Sequence, residues 1–239
     1  MWNYSDIAKM IDHSLLNPTL TYSDLVAGCR QAVAYDVASV CIMPYAVSLC
    51  SEILQESEVK VSTTIGFPHG GHTTAAKAFE ANRAIDDGAQ ELDMVVNVSR
   101  VKSAQWVEVQ DDIRAVIEVA HGRSQKVKVI FENAYLTEDE KIRLCEICGE
   151  LKADWVKTST GYAPTGATIE DLVLMRKHSP EHVQVKAAGG VRDLDRILEV
   201  REIGVTRVGA SATAKMLDEA RARLGLEPIE AKASEVAGY

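Results

Sequence analysis

Two lysines stand where a charged side chain is costly to keep. Lys157 ends the run Ala153-Asp154-Trp155-Val156-Lys157 and leads into Thr158-Ser159-Thr160-Gly161. Lys186 repeats the arrangement, closing Val183-Gln184-Val185-Lys186 ahead of Ala187-Ala188-Gly189-Gly190. An ammonium group buried without compensation is expensive, and two such groups in one site lower each other's pKa. At least one of the pair can then be a neutral amine near neutral pH, and a neutral amine attacks carbonyl carbon. The pair points to Schiff-base chemistry. Two strand-end lysines snorkelling to solvent are the plainer alternative.

The elements that would position these lysines follow one rhythm. Short β-branched runs at Met10–Leu15, Ala38–Ile42, Lys60–Ile65, Glu91–Val96, Lys126–Phe131, Trp155–Thr158, Val183–Lys186 and Thr206–Val208 read as strands. Helical patterns lie near 22–35, 45–56, 73–87, 102–121, 137–150, 168–178, 193–203 and 211–224. Start signals support several of them: Thr21 and Ser23, Thr137 with Glu140, and Thr168 with Asp171. Eight strands, each followed by a helix, predict a single-domain α/β fold of the (β/α)8 TIM-barrel type over residues 1–224. A doubly wound open sheet is the alternative, but no G-x-G-x-x-G follows the first strand. From Gly225-Leu226-Glu227-Pro228 to Gly238-Tyr239 the chain reads as a C-terminal tail, 225–239. In such barrels the chemistry gathers where strands end, and Asp93, Glu132, Lys157 and Lys186 all fall in or just after strands.

Composition narrows the setting. A chain of 239 residues with 46% hydrophobic and 26% charged residues suits a soluble globular protein. A net charge of −9 argues against nucleic acid or an anionic membrane as partner. No apolar stretch reaches membrane-spanning length, and the start lacks the features of a secretion signal. A cytoplasmic protein is the expectation. Five cysteines fit reduced thiols better than a disulfide framework. Cys145 and Cys148 form a C-x-x-C pair, but within a helical pattern and with no second pair they read as small buried residues. His13, His69 and His72 lack the carboxylate or cysteine that would complete a metal site, so neither metal nor other cofactor is expected.

Two glycine-rich turns mark a place for an anion. Gly189-Gly190-Val191-Arg192 and Gly209-Ala210-Ser211 follow the last two strands, the loops where barrels commonly hold phosphate on exposed N–H groups. Glycine lets the backbone approach closely. Ser211 can cap the last helix, bond the phosphate, or do both. Arg192 reads equally as a phosphate ligand or a solvated surface residue.

At this point a series of motifs resembles that of the deoxyribose-phosphate aldolase family. They are Asp12-His13-Ser14-Leu15-Leu16, Val40-Cys41-Ile42-Met43-Pro44, Ile65-Gly66-Phe67-Pro68-His69-Gly70 and Glu91-Leu92-Asp93-Met94-Val95-Val96-Asn97. Further on come Val156-Lys157-Thr158-Ser159-Thr160-Gly161, Lys186-Ala187-Ala188-Gly189-Gly190-Val191-Arg192 and Gly209-Ala210-Ser211. They occur in the family's order and span about residue 10 to 215. The resemblance implies a metal-free class I aldolase that cleaves 2-deoxy-D-ribose 5-phosphate to glyceraldehyde 3-phosphate and acetaldehyde. It implies that Lys157 forms the Schiff base, that Lys186 lowers its pKa and joins proton relay, and that Asp93 is the acid/base carboxylate. It places Thr160, Gly189, Gly190, Gly209 and Ser211 at the substrate and its phosphate.

Tyr239, the last residue, corresponds to a tyrosine that some members carry on a flexible tail reaching the site. A tail without a role is the alternative. Two departures touch substrate contacts more than the lysines: Ala212 stands where many members have a second serine, and Phe131-Glu132-Asn133-Ala134 stands where Glu-Thr-Gly is common. The competing readings are a transaldolase-like Schiff-base barrel with another phosphorylated carbonyl substrate, and a phosphosugar-binding protein without turnover. Apolar helix faces left outside the barrel lead to the expectation of a homodimer.

Overall fold

The computed structural model describes residues 2–229. Eight strands are present: β1 (Ile11–Leu15), β2 (Ser39–Ile42), β3 (Lys60–Ile65), β4 (Glu91–Val95), β5 (Lys126–Ile130), β6 (Trp155–Lys157), β7 (Gln184–Ala188) and β8 (Val205–Ala210). They pair in parallel in chain order, and β8 returns to β1 to close a barrel. The helices are α1 (Tyr4–Ala8), α2 (Tyr22–Ala34), α3 (Val47–Leu54), α4 (Thr74–Asp86), α5 (Val98–Lys102), α6 (Trp106–His121), α7 (Glu138–Glu150), α8 (Ile169–His178), α9 (Leu194–Glu202) and α10 (Thr213–Arg223). The (β/α)8 fold expected from the alternation is the one observed.

Strand periodicity explains how this barrel is built. Successive side chains point to opposite faces. One phase (Ile11, Val40, Val61, Leu92, Val127, Val156, Val185 and Val208) joins the apolar cluster between strands and helices. The other phase carries Asp12, Cys41, Ser62, Glu91, Asp93, Lys128, Lys157, Lys186 and Arg207, several of which meet across the interior through hydrogen bonds and ion pairs. Most barrels fill this space with branched apolar side chains. Here it is charged, and the hydrophobic stabilisation resides in the outer shell.

Helix starts follow their signals. Thr21 and Thr137 form reciprocal capping boxes with Asp24 and Glu140, and the Thr168 hydroxyl accepts from the Asp171 N–H. Cys145 and Cys148 lie buried and unpaired on the inner face of α7.

Other boundaries differ from expectation. The single helix expected over 102–121 is two, α5 and α6, divided where Ala104 takes a left-handed φ of 52°. α1 was not anticipated: five residues are too short for periodicity to register, although Asn3 and Asp6 form a complete capping box. β7 runs on to Ala188, so Lys186 sits mid-strand rather than closing it. Gly209 and Ala210, expected in a turn, belong to β8.

Candidate active site

The two lysines meet on one oxygen. Register pairs Lys157 of β6 with Lys186 of β7, which places both side chains on the same side of the sheet. Both Nζ atoms donate to Asp93 Oδ2, each at 2.7 Å. The other oxygen, Asp93 Oδ1, accepts from Lys128 Nζ at 2.8 Å. Lys186 Nζ donates also to Asp12 Oδ2 at 2.5 Å. Below this layer Arg207 donates to Asp12 Oδ1 at 2.5 Å and spreads its fork over Glu91, 2.9 Å to each oxygen. Lys128 lies 2.6 Å from Glu91. Asp93, Lys157 and Lys186, expected together from sequence, are brought together.

Their electrostatics separate the two amines. Burial lowers the Lys157 pKa; Asp93 opposes this and the Lys186 charge adds to it, and the outcome is a lowered value. Burial acts on Lys186 too, but Asp12 and Asp93 outweigh it and its pKa is raised. Desolvation would raise Asp93, yet Lys128, Lys157 and Lys186 hold it well below the usual carboxylate range. One lysine is therefore driven toward the neutral amine while its neighbour is held as the cation.

A cavity of about 240 Å³ opens above them, lined by Lys157 and Lys186 together with Asp12, Ser14, Cys41, Thr160, Gly189, Gly190, Arg192, Gly209 and Ser211. Asp93 is not in its wall; it is fully buried beneath the amines. Burial raises the Cys41 thiol pKa, so the group stays protonated. Gly190 has φ +87°, and a Cβ there would meet nothing within 4 Å, which leaves its backbone open to the cavity. At Gly209 a Cβ would meet Lys186 Cε at 3.5 Å, an ordinary van der Waals contact, which places this strand end directly against the lysine. Ser211 lines the cavity but does not cap α10, because the capping position falls one residue later, at Ala212.

The far wall rests on Thr160. Glu132, left-handed at φ 60°, accepts the Thr160 N–H at 3.2 Å and its hydroxyl as well. Tyr162 then donates to the Leu16 carbonyl at 2.8 Å and meets Phe67 edge to face. His13 faces outward to Thr213 Oγ1 at 2.7 Å, and burial lowers its pKa to about 4. Among the described residues no group of three or more His, Cys, Asp or Glu could hold a metal ion. No helix among them is long and apolar enough to cross a membrane. Tyr239 lies outside the described residues.

Sequence reasoning missed four members of the charged set: Asp12 and Glu91, quoted only within motifs, and Lys128 and Arg207. A signal existed for two of them. Glu91 is two residues from Asp93, and Arg207 is two from Gly209, so each shares its neighbour's phase on the strand.

An eight-stranded barrel with buried amines open to a cavity at the ends of its strands defines a (β/α)8 enzyme. The model of the DeoC/LacD family aldolases matches residues 7–215, and the chain belongs to that family. It is 61% identical over 238 residues to the deoxyribose-phosphate aldolase of Rhodopirellula baltica, covering 100% of this chain and 99% of that one. It is 46% identical over 220 residues to the enzyme of the same name from Thermococcus kodakarensis, covering 91% and 98%. Among solved structures, one described as "QR15, an Aldolase" superposes with a TM-score of 0.87 at 38% identity over 93% of this chain and 99% of that one. The tetrameric deoxyribose phosphate aldolase of Aeropyrum pernix gives 0.84 at 28% identity, covering 91% and 92%.

Proposed function

We propose that this protein is a class I aldolase that reversibly cleaves 2-deoxy-D-ribose 5-phosphate to D-glyceraldehyde 3-phosphate and acetaldehyde. The observation that carries the reading is the shared Asp93 oxygen, 2.7 Å from each of two buried lysines. Lys157 Nζ adds to the sugar aldehyde; loss of water leaves an iminium, which accepts the electron pair of the adjacent C–C bond as that bond breaks. Glyceraldehyde 3-phosphate departs as Lys186, left neutral by the dehydration, takes up the proton of the product's former hydroxyl. The remaining enamine is protonated at carbon, and water releases acetaldehyde and restores the lysine.

Each proton has a holder. Lys186, kept charged by Asp12 and Asp93, is the donor for dehydration and for the enamine carbon. Asp93, kept ionised, holds the two amines on one oxygen, so that Lys157 meets the carbonyl as the neutral amine and Lys186 as the cation. The phosphate fits the opposite wall, where Gly189, Gly190, Gly209 and Ser211 bring backbone N–H groups and a hydroxyl to the cavity and Thr160 bounds the sugar. Residues 1–224 form the catalytic barrel and 225–239 the tail, in a cytoplasmic homodimer.

Borohydride reduction in the presence of acetaldehyde tests the reading. Mass spectrometry is expected to find one ethyl adduct, on Lys157. No adduct, or an adduct only on surface lysines, overturns it.

A further inference from the structure

The charges inside the barrel do not balance. Asp12, Glu91 and Asp93 supply three carboxylates, whereas Lys128, Lys157, Lys186 and Arg207 supply four bases, all joined in one set of ion pairs. A buried cluster carrying a surplus charge is costly, and the cost falls when one base gives up its proton. Arg207 cannot be that base, because a guanidinium stays charged. Lys128 lies within 3.5 Å of all three carboxylates, and Lys186 within 2.7 Å of two. Lys157 has one, through an oxygen it shares with Lys186. It is the base left over.

Arg207 enters this set from the opposite end of the barrel to the cavity. It precedes Gly209 by two residues on β8, and its side chain is 13% exposed beside the Trp155 ring. Lys128 and the exposed Lys126 face the same ring. The other inward groups near the cluster are neutral: Cys41 on β2 as a thiol, and Ser62 on β3, which bridges Lys128 and Asp93.

We propose that Arg207 is a positioning residue for the aldol chemistry: its permanent charge occupies Asp12 and Glu91 from below and so makes Lys157 the neutral amine. The inference rests on the Schiff-base reading above. Lys186 alone does not suffice, because with Arg207 gone three carboxylates would face three lysines and every lysine could keep its proton.

The acid limb of kcat/KM against pH reports the protonation of Lys157 in the free enzyme. Removing a cation favours protonated Lys157, so Arg207→Met is expected to move that limb upward by about 1–3 units. Removing a carboxylate does the reverse, so Glu91→Gln moves it downward. The double variant restores a surplus of one and returns toward the wild-type profile, and Arg207→Lys, which keeps the charge, stays close to it.

An unmoved limb in folded Arg207→Met overturns the inference, as do single variants that shift in the same direction. If Arg207→Met does not fold, Glu91→Gln decides alone: a limb unmoved or moved upward overturns it. Wild-type protein that neither cleaves the sugar phosphate nor forms a reducible adduct overturns the aldolase reading itself, and that result is visible before any variant is compared.

Discussion

Lys157 and Lys77 are both buried, both carboxylate-paired and both lowered in pKa by desolvation, yet only one stands in a site. Lys77, on α4, lies outside the barrel. Its Nζ donates to Asp112 of α6 at 2.5 Å and to the Val95 carbonyl at 2.8 Å, and Thr74 supports the other Asp112 oxygen at 2.9 Å. A Cβ on Gly66 would come within 2.8 Å of Lys77 Cε, so this side chain is enclosed along its length. Its counter-ion is its own, and it is completely shut off from solvent. Lys157 shares its counter-ion with a second cation and opens on a cavity. A perturbed lysine is therefore not by itself a catalytic one. The difference lies in competition for the carboxylate and in access for a carbonyl.

Substitutions would sharpen this contrast. Lys157→Ala should reduce cleavage to the detection limit of a coupled assay and abolish borohydride trapping, with the circular dichroism of the fold retained. Activity near wild type would place the nucleophile elsewhere. Lys186→Leu should lower kcat by about 10²–10⁴-fold, the range of a lost proton donor. A kcat within a few-fold of wild type would remove it from the relay. Lys77→Met should show the opposite pattern, with kcat near wild type but a loss of about 3–5 kcal/mol of stability in urea unfolding, from stranding the Asp112 carboxylate. If that variant lost activity at unchanged stability, the two lysines would not be different in kind.

The fold was legible because its signal repeats. Each strand carries an apolar phase toward the helices, and helix starts such as Thr137 with Glu140 mark several intervals. The reactive lysines were legible because Lys157 and Lys186 each follow an apolar run and precede small residues. Their surroundings were harder to read. A charge on a short strand looks solvent-facing in one dimension, and only closure of the barrel brings Arg207 of β8 onto Asp12 of β1 and Glu91 of β4. Lys77 and Asp112 escaped notice for a related reason, since on amphipathic helices they resemble ordinary surface residues. The ends of β7 and β8 were misplaced because Ala188 and Gly209 carry little strand propensity; pairing with the neighbouring strand holds them there.

The glycines near the cavity are not equivalent, which bears on redesign of the enzyme for unfamiliar aldehydes. A methyl group on Gly166 would lie 2.3 Å from the Gly189 carbonyl oxygen, and Ala167 already ties its loop to the Ala188 and Gly189 carbonyls. Any bulk at that crossing would wedge apart two loops that hold each other. Ser14 and Arg192 line the same space away from that crossing, so a combinatorial library should draw its diversity from them and leave the crossing as found.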